Sequence, residues 1–107
     1  MLADLLHKMK KLTDSKGFYR RALELREVLQ GLDHPATLYE VNDLACVLFH
    51  LKEYMEAEQL YQRALTSRES KLGANHEDTL ITVHDYAALL EETDRYPQYS
   101  MESGSWF

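Results

Sequence analysis

Several residue types are scarce in this chain of 107 residues, and each scarcity excludes a class of protein. Four Gly and two Pro are too few for a collagen, a proline-rich linker or a turn-rich β-sandwich. A single Cys excludes an internal disulfide and a zinc site built on Cys pairs. The 12 Lys and Arg are outnumbered by 18 Asp and Glu, and this acidic balance disfavours nucleic-acid binding through a basic surface.

Long apolar segments are also absent. The longest uninterrupted apolar run is 44–49, far short of the roughly 18 to 20 residues that span a bilayer. At the amino end, Asp4 interrupts a short apolar stretch that no basic region precedes, so the segment does not have the pattern of a signal peptide. Together with the lone Cys46, these absences lead us to expect a cytoplasmic protein.

What the sequence does contain is an internal repeat with an offset of 42 residues. About 19 of the 65 positions that overlap at this offset are identical, which is far above chance. The clearest identical pairs are Tyr19 with Tyr61, Ala22 with Ala64, Leu23 with Leu65, Arg26 with Arg68, Gly31 with Gly73, His34 with His76, Thr37 with Thr79 and Asp43 with Asp85. A period of this length is typical of solenoid repeats.

Apolar residues within each unit recur at the i, i+3, i+4 and i+7 spacing of an amphipathic helix. This spacing predicts helices near 1–10, 14–30, 35–51, 54–72 and 77–93. Two of the predicted buried stripes are Leu38, Val41, Ala45 and Leu48, and, one unit later, Leu80, Val83, Ala87 and Leu90. Gly31 and Gly73 are positioned to end a helix in the left-handed conformation, and Pro35 suits the first turn of the next helix.

The repeat therefore predicts a helical domain over residues 1–95, with units at about 1–33, 34–75 and 76–95. The third unit fails after Tyr96, because the apolar positions of the long helix are then taken by Glu102 and Ser103. We expect 96–107 to be an irregular carboxyl-terminal tail that carries unpartnered aromatic residues.

Two groups of residues resemble a known repeat. These are Ala57-Glu58-x-Leu60-Tyr61-x-Arg63-Ala64-Leu65 and Gly31-x-Asp33-His34-Pro35-x-Thr37-Leu38. They are similar to the 42-residue tetratricopeptide repeat of kinesin light chains and nephrocystin-type proteins. This resemblance implies an all-α solenoid of antiparallel helix pairs with one complete and two partial repeats. It also implies a scaffold that binds a partner protein or peptide on its concave face.

The resemblance places the first helix of each unit on the concave wall. The residues then expected to face the groove are Asn42, Asp43, Cys46, Phe49, His50, His84, Asp85, Ala88, Glu91 and Glu92, with Asp4, His7 and Lys8 one unit earlier. At the position of Asn42, an amide with both a donor and an acceptor suits contact with an extended peptide backbone.

The acids on this wall predict the chemistry of the ligand. Repulsion between like charges disfavours an acidic segment, so a neutral or basic segment is expected. Two alternatives remain open. In one, the acids only keep the surface soluble. In the other, the chain is a structural assembly segment of a longer or self-associating solenoid, which associates through uncapped ends and has no ligand of its own.

No pattern of residues indicates an enzyme, a metal site or a cofactor. His34 and His76 recur at the repeat offset, which favours a structural role in the loops. The other His residues lack metal-ligand spacing, and Cys46 has no sequence partner that would mark a nucleophile. The recurrence of Arg26 and Arg68 leaves their partners open between a neighbouring Glu and the next loop.

Overall fold

Four α-helices form the body of the protein. The computed structural model describes residues 2–93 and the backbone of 99–100 and 105–106. The helices are α1 (Leu2–Gln30), α2 (Pro35–His50), α3 (Tyr54–Leu72) and α4 (Glu77–Glu92). Each packs on the next, and side-chain contacts also link α1 to α3 and α2 to α4. The fold is therefore an all-α solenoid of antiparallel helix pairs in two layers, as predicted.

Helix α2 provides the centre of the core, because it lies between α1 and α3. The buried apolar residues of the main cluster are Leu23 on α1, Val41, Leu44, Ala45 and Leu48 on α2, Ala57, Tyr61 and Ala64 on α3, and Leu89 and Leu90 on α4. Fully buried Ala45 and Ala64 let the α2 and α3 backbones approach closely. The ring of Tyr61 stacks on that of Tyr86, with 6.1 Å between centroids, and so joins α3 to α4.

Helix α1 is continuous, and the break predicted between 1–10 and 14–30 is wrong. Its residues are mostly good helix formers, and within the unbroken helix the Thr13 hydroxyl donates to the Met9 carbonyl one turn back. In the second unit the turn between α2 and α3 requires Lys52 at φ 64°. A left-handed residue is costly, so it forms only where the helices that it joins can pack on each other.

The two loops that precede α2 and α4 are built alike. Gly31 and Gly73 both have φ 96°, so φ is positive as the predicted left-handed conformation requires, but that conformation is not reached at Gly73. At Gly73, ψ is 156°, outside the left-handed helical region and in one that only glycine adopts readily. His34 and His76 are N-caps whose Nδ1 atoms accept a backbone N–H at 3.1 and 3.0 Å, which confirms their structural role.

The apolar stripe predicted on α4 is only partly buried. Leu90 is in the core, but Leu80 is 50% exposed and Val83 is 42% exposed. Their counterparts Leu38 and Val41 are buried because α2 has a long helix on each side, whereas in the described part of the chain α4 packs on α3 alone among the long helices. That part of the stripe prediction is wrong because the covering helix has no equivalent here.

The tail contains one described feature. Strands β1 (Tyr99–Ser100) and β2 (Ser105–Trp106) pair antiparallel, with Tyr99 opposite Trp106. This ladder departs from the irregular tail expected from the sequence, and Tyr and Trp are residue types that favour strands. The remaining tail positions, including Tyr96 and Phe107, lie outside the described residues. Across the described residues, no helix combines the length and apolar character needed to cross a membrane.

Candidate functional site

The side-by-side helices α2 and α4 carry all ten residues predicted for the concave face. Asn42 is buried, Asp43, Cys46, Phe49 and Asp85 are half-buried, and His50, His84, Ala88, Glu91 and Glu92 are exposed. The face thus has a packed seam between the two helices and an exposed rim along α4.

A chain of hydrogen bonds crosses this seam from α3. Arg68 donates from Nη1 to the Thr82 hydroxyl at 2.8 Å and to the Asp78 carbonyl at 3.0 Å. The Thr82 hydroxyl donates to Asn42 Oδ1 at 3.0 Å, and Asn42 Nδ2 donates to Asp85 Oδ2 at 3.1 Å. Three helices are therefore tied together by four side chains, which fixes how α2 lies against α4.

This chain of bonds gives Asn42 a structural role that the sequence did not predict. Its amide uses one N–H and one oxygen lone pair within the protein and is only 7% exposed. The second N–H and the second lone pair have no bond among the described residues. Asn42 can therefore orient Asp85 and still offer one polar atom at the seam.

Acidic residues dominate the electrostatics of the face. Burial raises the pKa of Asp43, and the nearby charges of Glu40 and Asp85 raise it further, while Arg68 opposes them. The charge of Asp43 in turn is the main reason that the pKa of Tyr19 is raised. A cation that approaches the surface of α2 and α4 would meet several uncompensated carboxylates.

Cys46 and His50 stand one turn apart without forming a reactive pair. His50 Nδ1 lies 2.8 Å from the Cys46 carbonyl, which can only accept, so Nδ1 carries the proton. The same nitrogen is 3.8 Å from the Cys46 sulfur and cannot take the thiol proton. Burial and the charge of Asp85 raise the pKa of the thiol, the opposite of what activates a nucleophile.

The first unit does not extend the concave wall as expected. Asp4, His7 and Lys8 are exposed on the amino-terminal half of α1, which runs past the end of α2 instead of folding back beside it. The wall predicted from these three residues is therefore wrong, and the face consists of α2 and α4. Among the described residues, no group of three or more His, Cys, Asp or Glu is positioned to hold a metal ion.

Sequence reasoning misses one residue important to the seam, Thr82, whose counterpart 42 residues earlier is Glu40. For Arg68 it leaves the partner open between a neighbouring Glu and the next loop, and the structure shows bonds to Asp78 and Thr82 at the start of α4. The departure from the repeat at position 82 was the available signal, since a short hydroxyl side chain leaves room for the buried guanidinium.

Comparison with protein families gives two matches that together span most of the chain. A model described as tetratricopeptide repeat matches residues 38–98, more than half of the sequence. A second model with the same description matches residues 1–36. Neither description specifies the kinesin light chain form. A search of curated proteins found no significant match.

Proposed function

The chain belongs to the tetratricopeptide repeat family, whose repeats mediate protein–protein interactions, and on this premise we propose that its concave face binds a neutral or basic segment of a partner protein. The face is the surface formed by α2 and α4. Tetratricopeptide repeat domains are typically interaction modules and not enzymes, in keeping with the inactive pairing of Cys46 with His50.

The observation that carries this proposal is the distribution of charge. Helices α2 and α4 contain seven Asp or Glu and no Lys or Arg. Ten of the 12 basic residues lie on α1 and α3, in the other layer, and the other two are Lys52, between α2 and α3, and Arg95, which follows α4 in the sequence. A face whose helices carry acids and no Lys or Arg, with only the buried Arg68 of α3 reaching its seam, repels an acidic segment and attracts a basic one, so charge selects among partners before any specific contact forms.

The seam and the rim would make different contacts. Along the rim, Glu91 and Glu92 are exposed and can accept from Lys or Arg side chains of the segment. At the seam, the spare N–H of Asn42 can donate to a peptide carbonyl, and half-buried Phe49 offers an apolar contact. The seam would bind backbone and apolar groups, and the rim would set the preferred charge.

Selection from a displayed library of 12-residue peptides tests this function without a known partner. We expect the selected peptides to be enriched in Lys and Arg. The Glu91→Lys, Glu92→Lys variant should bind them at least tenfold more weakly by fluorescence anisotropy. A matched control is Asp14→Lys, Glu24→Lys, which makes the same change in net charge on α1 and should bind nearly as the wild type.

Three results would contradict the proposal. Enrichment of acidic peptides would show that the face does not select by charge. Equal losses in the rim variant and in its α1 control would show that net charge alone decides binding. Failure to select any peptide would favour the second candidate function, in which the chain is an assembly segment without a ligand. The exposed apolar residues at both ends of the solenoid favour that candidate.

A further inference from the structure

Each end of the solenoid presents half of an interface that is complete inside the chain. By the 42-residue offset, α1 beyond residue 12 is equivalent to α3, and α4 is equivalent to α2. In the middle of the molecule, α3 packs on α2 and contacts α1. No described helix takes the corresponding place against α4 and α3. The residues at the two ends show what would fill it.

The first half is an exposed apolar stripe on α1. It consists of Phe18, Leu25 and Leu29, which are 71%, 59% and 71% exposed and lie on one side of the helix at i, i+7 and i+11. The α3 residues equivalent to Leu25 and Leu29 are Ser67 and Lys71, and both bond to Asp33 in the loop after α1. The α1 stripe therefore faces the direction in which α3 contacts its preceding unit.

The second half is the uncovered side of α4. Leu80, Ile81 and Val83 are between 42% and 50% exposed, and Leu72 at the end of α3 is also exposed. Leu38 and Val41, which precede Leu80 and Val83 by one unit, are buried. The α4 surface thus keeps the apolar residues of a packed interface but lacks the helix that packs on them.

We propose that copies of this chain stack head to tail, with α1 of one copy packed against α3 and α4 of the next. In this arrangement α1 takes the place that α3 has against α1 and α2 within one chain. The stripe of Phe18, Leu25 and Leu29 would then be covered by the neighbouring copy, as would Leu80 and Val83. The occupant of both apolar ends is a second copy of the same protein.

Two of the three described ion pairs that link α1 to α3 and its N-cap support this register. Within the chain, Arg63 on α3 pairs with Glu27 on α1 at 2.8 Å. Moving back one unit from Arg63 gives Arg21, and moving forward one unit from Glu27 gives Glu69. Both are exposed, and neither makes an ion pair or side-chain hydrogen bond among the described residues. Stacking brings Arg21 of one copy to Glu69 of the other.

A second ion pair supports the same register, although across the interface the acidic and basic residues exchange positions. Lys16 on α1 pairs with Glu53 at the start of α3 at 3.0 Å. Their counterparts across the proposed interface are Glu58 and Lys11, which are again opposite in charge. The net charges of the two helices are also opposite. Helix α1 has seven Lys or Arg against four Asp or Glu, whereas α4 has five acids and no Lys or Arg.

The charges also argue against a symmetric dimer. Pairing α1 with α1 would bring two basic helices together, and pairing α4 with α4 would bring two acidic ones together. A head-to-tail contact instead leaves a free end of each type on every assembly. We therefore expect open-ended growth that increases with concentration and weakens as salt is added.

Sedimentation velocity on the full chain, from about 10 to 500 µM, tests the proposal with two end-blocked variants. Leu25→Glu, Leu29→Glu blocks the α1 stripe, and Leu80→Glu, Val83→Glu blocks the α4 side. Each should be monomeric alone, and an equimolar mixture should form a dimer and nothing larger. The control Val28→Glu alters an exposed α1 residue whose counterpart Ser70 is also exposed, and it should associate as the wild type does.

A charge exchange tests the register without touching apolar residues. Arg21→Glu and Glu69→Arg should each weaken association at least tenfold, and the chain that carries both should regain most of it. A wild type that stays monomeric throughout the range would overturn the proposal and leave the ends to a different protein. Association of either end-blocked variant with itself at wild-type strength would overturn it in favour of a symmetric pair.

Discussion

The junctions α1–α2 and α3–α4 are built from the same residues and yet are held in different ways. Each has a glycine at φ 96° and a histidine N-cap, followed by a threonine three residues after the histidine. In the first junction, Thr37 donates to the Gly31 carbonyl at 2.8 Å. In the second, the buried Thr79 hydroxyl has no partner among the described residues. Identical residues at repeat-equivalent places thus differ in whether their polar atoms are satisfied.

The two loops also differ in what lies over them. Helix α3 covers the first loop: Arg63 donates to the Leu32 carbonyl, and Ser67 and Lys71 bond to Asp33. No described helix covers the second loop in this way. The first loop is therefore bonded to the helix of the following unit, and the second loop has no such bonds among the described residues.

For the recurring arginines Arg26 and Arg68, it is the second junction that holds the side chain more firmly. Arg68 in the second junction is only 5% exposed and bonds to Thr82, whereas Arg26 in the first is largely at the surface, 3.8 Å from Glu40. Arg68 lies on α3, which packs between α2 and α4, and it meets the short Thr82. Arg26 lies on α1, which among the described helices packs on α2 alone, and it meets the longer Glu40. The burial of a recurring arginine thus differs with the residues and helices beside it.

The largest expected effect tests this contrast between the arginines. Arg68→Ala should cost roughly 2 to 4 kcal/mol, because it leaves a cavity and removes the donor that Thr82 and the Asp78 carbonyl share. Arg26→Ala should cost less than about 1 kcal/mol, as for other surface ion pairs. Urea unfolding midpoints of dilute samples measure both. Equal losses would show that Arg68 is not buried as described.

The threonines give the next largest effect. Thr37→Val should cost about 1 kcal/mol through loss of the bond to the Gly31 carbonyl. Thr79→Val should be neutral or stabilising by up to about 1 kcal/mol, because it removes a buried hydroxyl without a partner. The midpoint temperature of thermal unfolding should thus fall for Thr37→Val and should stay the same or rise for Thr79→Val. An equal fall in both variants would contradict the comparison.

The contacts over the first loop give a smaller effect. Ser67→Ala and Lys71→Ala should each cost about 0.5 kcal/mol, since they remove exposed bonds to Asp33. Hydrogen exchange should speed up at residues 31–34 and stay unchanged at 73–76. Faster exchange in both loops would mean that the variants loosen the whole domain and not the covered junction alone.

The smallest effect concerns Asp43, which lies among acids that the buried guanidinium of Arg68 only partly offsets. The pKa of Asp43 is raised above its ordinary 3.8, so the folded state favours the protonated form and ionisation at higher pH destabilises it. Asp43→Asn should therefore be slightly more stable than the wild type at pH 7, because the amide carries no charge that burial and the neighbouring acids disfavour. The gain should vanish below about pH 4, and a gain that persists there would refute the ionic cause.

The repeat made much of this architecture predictable. Four of the five predicted helices, the histidine caps and the glycine positions could be located because the same residues recur 42 positions apart under the same local constraints. The tetratricopeptide repeat family followed from the motifs around Gly31 and Leu60, and the family matches confirm it. The kinesin light chain form, the cytoplasmic location and the groove residues stay predictions.

What could not be predicted depends on neighbours that differ between equivalent sites. Whether Leu80 is buried depends on a covering helix, which the stripe on α4 does not reveal. Whether Arg68 lies inside depends on Thr82, and the bonds that occupy Asn42 depend on both. The continuity of α1 likewise depends on neighbours: the same residue type is helical at Lys10, where the surrounding side chains are exposed, and forms a turn at Lys52, where two helices pack on each other.

Because the first helix is unbroken, a small tilt of α1 produces a large displacement of its amino-terminal end. Its 29 residues extend about 43 Å at a rise of 1.5 Å per residue, and the part ahead of Lys16 accounts for roughly 20 Å of this length. A tilt of only about 10° where α1 rests on α2 would swing the tip near Ala3 by about 3 to 4 Å. Small strains in the solenoid would therefore be magnified at that tip, where a spin label could read them out.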